Sequence, residues 1–182
     1  MTALEVSGIL RLQNPSALDL QGQGVLIGFV DTGITYEHPA FRNADGTTRI
    51  VGIWDQSVED GTPPNGMVYG AFYGEEQINE ALRSERPREI VPEQDENGHG
   101  TFLAGVACGS TDGTADFSGA APLAQIAVVK CKQAKLYLRD YYFIPQGQEC
   151  YQENDLMMGI SWLNRFAYER RMPLVLCVGM GS

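Results

Sequence analysis

A chain of 182 residues that is 43% hydrophobic and 20% charged has enough apolar mass for a buried core, in one domain of ordinary globular composition. Its net charge is −10 and no run of Lys or Arg exceeds two, which argues against nucleic acid as a partner, because phosphate binding needs clustered cations. No apolar stretch is long enough to span a membrane, and residues 1–20 lack the basic start and apolar run of a secretory signal, which favours an intracellular protein.

The first predicted element is a strand over 25–30, a short apolar run that delivers Asp31 at its end. A second strand follows over 49–54. Residues 55–98 are rich in Asp, Glu, Gly and Pro and read as a loop, with a brief helix-like interlude at Glu75–Arg83. A helix of small residues starts near His99 and runs through GTFLAGVACG. The third strand covers 126–131, after which 132–152, bearing tyrosines, Pro145 and Gly147, reads as a surface excursion. Leu156, Ile160, Leu163 and Phe166 recur at intervals of three and four and predict a helix over 154–171, capped by Asn154 or Asp155 and stopped before Pro173. A last strand covers Leu174–Val178. Strands alternating with helices predict an α/β fold, a doubly wound and mostly parallel sheet with helices on both faces. There is no internal repeat and no low-complexity tract.

The cysteines Cys108, Cys131, Cys150 and Cys177 are widely spaced and match no metal-ligand pattern. Three sit in apolar stretches (GVACG, VVKCK, LVLCV), so buried reduced thiols are the expectation.

Two stretches carry candidate chemistry. In GQGVLIGFVDTGITYEHPAF (22–41), Asp31 sits at the carboxyl end of a strand, where binding and catalytic groups of open parallel sheets gather. Taken alone, such an Asp more often bonds to a turn. In ENGHGTFLAGVACG (96–109), His99 stands between Gly98 and Gly100 at a helix start, where glycines permit close backbone approach and leave one imidazole edge accessible. Taken alone, it is equally a histidine packed in a turn. His38, the other histidine, lies in the same stretch as Asp31, in YEHPAF. Asp31, His38 and His99 would also serve as metal ligands by residue type, but nothing else here resembles a metallohydrolase. The acidic pair Asp95-Glu96 reads as a solvated face, with a secondary expectation that it raises the pKa of His99 and disfavours acidic substrates. A dinucleotide-binding reading fails on placement, because Gly22 and Gly24 precede the first strand instead of following it.

Taken in order, VDTGI with a following HP, then NGHGT with AG, then SGAAPLAQIAVVKC (118–131), then NDLMMGISWLNRF with PLVLCVGMG, resembles the N-terminal part of the subtilisin-like serine proteases. The resemblance implies that Asp31 orients the imidazole of His99, and that His99 takes a proton from a serine hydroxyl and returns it to the leaving amine. It implies a substrate cleft walled by Val178, Gly179, Met180 and Gly181, which would pair with an extended peptide. No serine here has the family's G-T-S-x-A-x-P context; Ser118 comes nearest and lies in a loop before a strand. Residues 1–182 therefore read as the N-terminal portion of a peptidase domain whose nucleophile and oxyanion asparagine lie elsewhere, inactive as they stand. The alternative is a non-catalytic regulatory relative with the same fold. No cofactor is expected: calcium is not supported, since the position after HP that often supplies a calcium-binding Asp is Ala40. The long acidic loop between Asp31 and His99, TTRIVGIWDQ and the lack of a signal are similar to the germination proteases of spore-forming clostridia, which implies an intracellular or spore-associated setting. A chain stopping after a cleft strand leaves a sheet edge unpaired, so a homo-oligomer is expected.

Overall fold

The computed structural model describes residues 3–14, 16, 18–111 and 117–180. Its frame is a five-stranded sheet in the order β3-β2-β4-β1-β5. Strands β1 (Leu26–Asp31), β2 (Ile50–Asp55), β4 (Gln125–Lys130) and β5 (Leu174–Val178) run parallel, and β3 (Ala71–Gly74) pairs antiparallel with β2. Every residue of β1 and β2 is buried, as central strands covered on both faces must be.

Successive side chains of β1 enter opposite layers. Ile27 and Phe29 join a core with Ile53, Ile78, Val91 and Ala104, beneath α3 (Glu75–Arg83) and α5 (His99–Cys108). Leu26 and Val30 join a second core with Trp54, Val129, Trp162 and Leu163, beneath α7 (Glu153–Glu169). Helices thus cover both faces, and the doubly wound α/β expectation holds. The remaining helices are short: α1 (Ala3–Val6), α2 (Ile9–Gln13), α4 (Pro87–Ile90) and α6 (Leu136–Tyr141). Among the described residues no helix is long and apolar enough to cross a membrane.

Strand and helix limits match the sequence reading to within about two residues, with four differences of substance. The loop 55–98 contributes β3, whose AFYG has no β-branched residue to announce it. The excursion 132–152 contains α6 and is closed at its base by a bridge between Gln133 and Tyr151. Neither Asn154 nor Asp155 caps α7: the helix starts at Glu153, and Gln152 precedes it without a side-chain cap. Asp155 is instead buried, accepting from Tyr69 Oη at 2.8 Å and pairing with Lys132 Nζ at 3.2 Å. Lastly, all four cysteines are free, but only Cys108 and Cys131 are fully buried; burial pushes both thiols up to about 12, whereas Cys150 and Cys177 are half-buried.

Candidate active site

The carboxyl ends of β1, β2 and β4 place Asp31 and Asp55 on either side of Lys130. Asp31 is 1% exposed, and its Oδ1 accepts the Thr32 N–H at 2.7 Å while lying 2.8 Å from Nδ1 of His99. His99 opens α5 with its side chain 46% exposed. The structure therefore brings the two sequence-predicted residues together, Asp31 from the end of β1 and His99 from the start of α5.

The turn that leads into α5 is held by Asp95, which the sequence reading assigned to a solvated face. It is buried instead. Its Oδ1 accepts the Gly98 N–H at 2.9 Å and the Thr32 hydroxyl at 2.8 Å, and its Oδ2 accepts the Thr101 N–H at 2.8 Å and the Thr101 hydroxyl at 2.5 Å. The Thr32 oxygen in turn accepts the Gly100 N–H at 3.0 Å. A carboxylate thus satisfies the open N–H groups of the α5 start and ties them to the end of β1. Burial opposes its charge, but the bonds from Thr101, Thr32 and Gly98 outweigh burial and hold its pKa below the usual carboxylate value. Glu96, its neighbour, is exposed as expected.

The flanking glycines differ in purpose. A Cβ on Gly100 would lie 2.3 Å from the Gly33 carbonyl oxygen, so this is the close backbone approach. Gly98 has open space around it and is required by its φ of 84°. Hydrogen bonding to Asp31 raises the pKa of His99 most, followed by the charge of Asp31. Partial desolvation opposes the shift, and Asp95 and Glu149 add to it. The expectation that Asp95 raises this pKa holds.

His99 and Thr32 line an open cleft of about 740 Å³ with Gly179 and Met180, which follow β5. Asn97, Glu149, Cys150, Tyr151, Glu153 and Leu156 complete it, so the excursion supplies much of one side. Among the described residues no serine lines this cleft. Gly181, also expected here, lies outside the described residues.

A buried carboxylate behind the site had no sequence signal. Glu93 is 1% exposed; its Oε1 accepts the Ile34 N–H at 3.0 Å, and among the described residues its Oε2 has no hydrogen-bond partner. Burial pushes its pKa up to about 8 against the opposing Ile34 bond and Lys130 charge, with Asp55 and Asp95 adding to the rise.

His38 stands apart from Asp31 and His99. Its Nδ1 accepts the Ala40 N–H at 3.1 Å and caps the 3₁₀ turn Pro39–Phe41, a structural role. Among the described residues no group of three or more His, Cys, Asp or Glu is placed to hold a metal. Around Ala40 the oxygens are already turned onto a cation of the chain. Buried Arg49 donates to the carbonyls of Ala40 (2.8 Å), Ala124 (2.8 Å) and Cys108, and to the Ser110 hydroxyl (3.0 Å). Among the described residues, these oxygens therefore already have a cationic partner and are not free calcium ligands.

The subtilase family model matches residues 22–149. Thermitase of Thermoactinomyces vulgaris is 32% identical over 124 residues, covering 68% of this chain and 32% of that protein. The subtilisin-like protease SBT3.5 of Arabidopsis thaliana is 32% identical over 140 residues, covering 66% of this chain and 18% of that protein. The structure of the Clostridium perfringens CspB protease superposes with a TM-score of 0.79 at 34% identity, over 99% of this chain and 34% of that one. The chain spans about a third or less of the length of these relatives. Matching family motifs, a superposable sheet and a joined Asp31–His99 pair agree: the chain belongs to the subtilase family.

Proposed function

We propose that residues 1–182 form the part of a serine endopeptidase that carries the catalytic Asp and His, and that the nucleophilic serine comes from outside them. The observation that carries this reading is the 2.8 Å approach of His99 Nδ1 to Asp31 Oδ1 at the edge of an open cleft. Nδ1–H donates to Asp31, which fixes the tautomer with the lone pair on Nε2. Nε2 then removes the serine proton as the hydroxyl attacks the peptide carbonyl, and delivers it to the leaving amine. Asp31 stabilises the imidazolium formed between those steps without itself taking the proton. The substrate is a peptide or protein chain, aligned in extended form along Gly179 and Met180. No cofactor enters this scheme.

A serine-directed fluorophosphonate tests the reading. Residues 1–182 alone are expected to stay unlabelled, and the protein that also contains the serine segment is expected to take up one equivalent. Labelling of residues 1–182 at any serine contradicts the proposal. Absence of labelling in the longer protein favours the non-catalytic alternative.

A further inference from the structure

The excursion 132–152 is folded back on itself. The Ala134 N–H donates to the Cys150 carbonyl at 2.8 Å, the Cys150 N–H donates to Gln133 Oε1 at 3.0 Å, and Arg139 donates to the Gln148 carbonyl. These bonds pin the chain on both sides of Glu149, so its side chain is presented to the cleft from an anchored backbone. Its Oε1 accepts from Asn97 Nδ2 at 3.0 Å, and its Oε2 accepts from Tyr151 Oη at 3.3 Å. The other end of the same Asn97 amide, Oδ1, accepts the backbone N–H of His99 at 3.2 Å. One amide therefore joins Glu149 to His99.

We propose that Glu149 is a positioning residue for His99, acting through Asn97, and that the excursion 132–152 is the arm that brings it there. The inference rests on the reading of His99 as the general base. A primary amide turned by half a rotation would present Nδ2 to the His99 N–H, donor against donor. A carboxylate accepting from Nδ2 removes that alternative and holds Oδ1 toward the α5 start. The charge of Glu149 acts in the same direction as the geometry. The charged groups acting on His99 are Asp31 from β1, Asp95 from the turn and Glu149 from the excursion, and each favours the imidazolium.

The test is an NMR titration of the His99 imidazole and its backbone amide in E149Q and E149A, at low and high salt, with D31N alongside. Glu149 is exposed, so the expected drop in the His99 pKa is small at low salt, and it shrinks as salt is added. Both variants should show that drop, but only E149A should shift the His99 amide resonance, because the side-chain carbonyl kept in E149Q still accepts from Asn97. A merely structural Glu149 would show no salt dependence. If E149A fails to fold, E149Q still carries the electrostatic half. A His99 titration unchanged in E149Q, with D31N lowering it strongly, overturns this inference alone. A titration unmoved by D31N overturns the reading of His99 itself.

Discussion

Gly179 lies against the second carboxylate oxygen of Asp31: a Cβ built on it would stand 1.8 Å from Oδ2 and 2.6 Å from Leu103 Cδ1. Among the described residues Oδ2 has no hydrogen-bond partner, and the backbone after β5 walls it off, with the Gly179 N–H bonded to the Val30 carbonyl at 3.1 Å. The cleft strand and the carboxylate therefore fix one another's position.

Gly179→Ala is accordingly expected to displace Asp31 or the strand end, lowering stability by about 1–3 kcal/mol as overpacking does. The same change should lower the His99 pKa, since Asp31 is its main source. Denaturant unfolding and a histidine titration of the variant read both effects; an unaltered His99 titration contradicts the contact.

Glu93 gives a pH-dependent expectation of definite sign. Its pKa rises on folding from a reference of 4.5 to about 8, so the native state binds more protons than the unfolded state between these values. Stability from this group is intact below pH about 4.5, declines as pH rises toward about 8, and then levels. Glu93→Gln keeps an acceptor for the Ile34 N–H and removes the cost of a buried charge. It should therefore be more stable than the parent by the order of a few kcal/mol at alkaline pH, with the gap closing near pH 4. Parallel melts across that range decide it; a variant less stable at pH 8 contradicts the assignment.

Arg49→Met is expected to cost about 3 kcal/mol or more, because it removes the guanidinium that donates to the buried carbonyl oxygens of Ala124 and Cys108. The parent should melt at the same temperature with calcium or with a chelator. A chelator-dependent loss in the parent would show that a metal, not Arg49, supplies the positive charge here.

Strand β5 forms one edge of the sheet, and Val175, Leu176 and Val178 are exposed on it. Among the described residues its other side pairs only with β1. An apolar, unguarded edge invites pairing with another chain, so residues 1–182 are expected to self-associate in solution. Light scattering at several concentrations should show mass rising with concentration, which Val175→Lys should suppress. A monodisperse monomer at all concentrations contradicts it.

Much of this site was legible in the sequence, and the illegible parts share a cause. Asp31 and His99 stood out because each sits at an element boundary that local pattern marks, a strand end and a glycine-flanked helix start. Glu75–Arg83 and Leu174–Val178 were bounded correctly for the same reason. Glu93 and Asp155 were not, because Ile34 and Tyr69, which bond their carboxylates, come from distant segments, and Asp95 was not, because distant Thr32 joins nearby Gly98 and Thr101 around it. A local reading of an acidic, Gly- and Pro-rich stretch assigns Asp95 to water, and a local reading of a helix start assigns Asp155 to a cap. Strand β3 escaped since AFYG lacks β-branched residues and draws its order from β2. The hydrogen bond from Asn97 to Glu149 joins residues 52 positions apart, and no periodicity announces it.

The proposed pairing of Asp31 and His99 in proton transfer is best measured as kcat/KM for peptide hydrolysis by the protein that includes the serine segment, in Asp31→Asn and His99→Ala forms. Each substitution should lower it by about 10⁴-fold, because without a correctly oriented base only binding and oxyanion stabilisation remain. Folded variants retaining kcat/KM within about tenfold of the parent would show that these residues do not carry the proton.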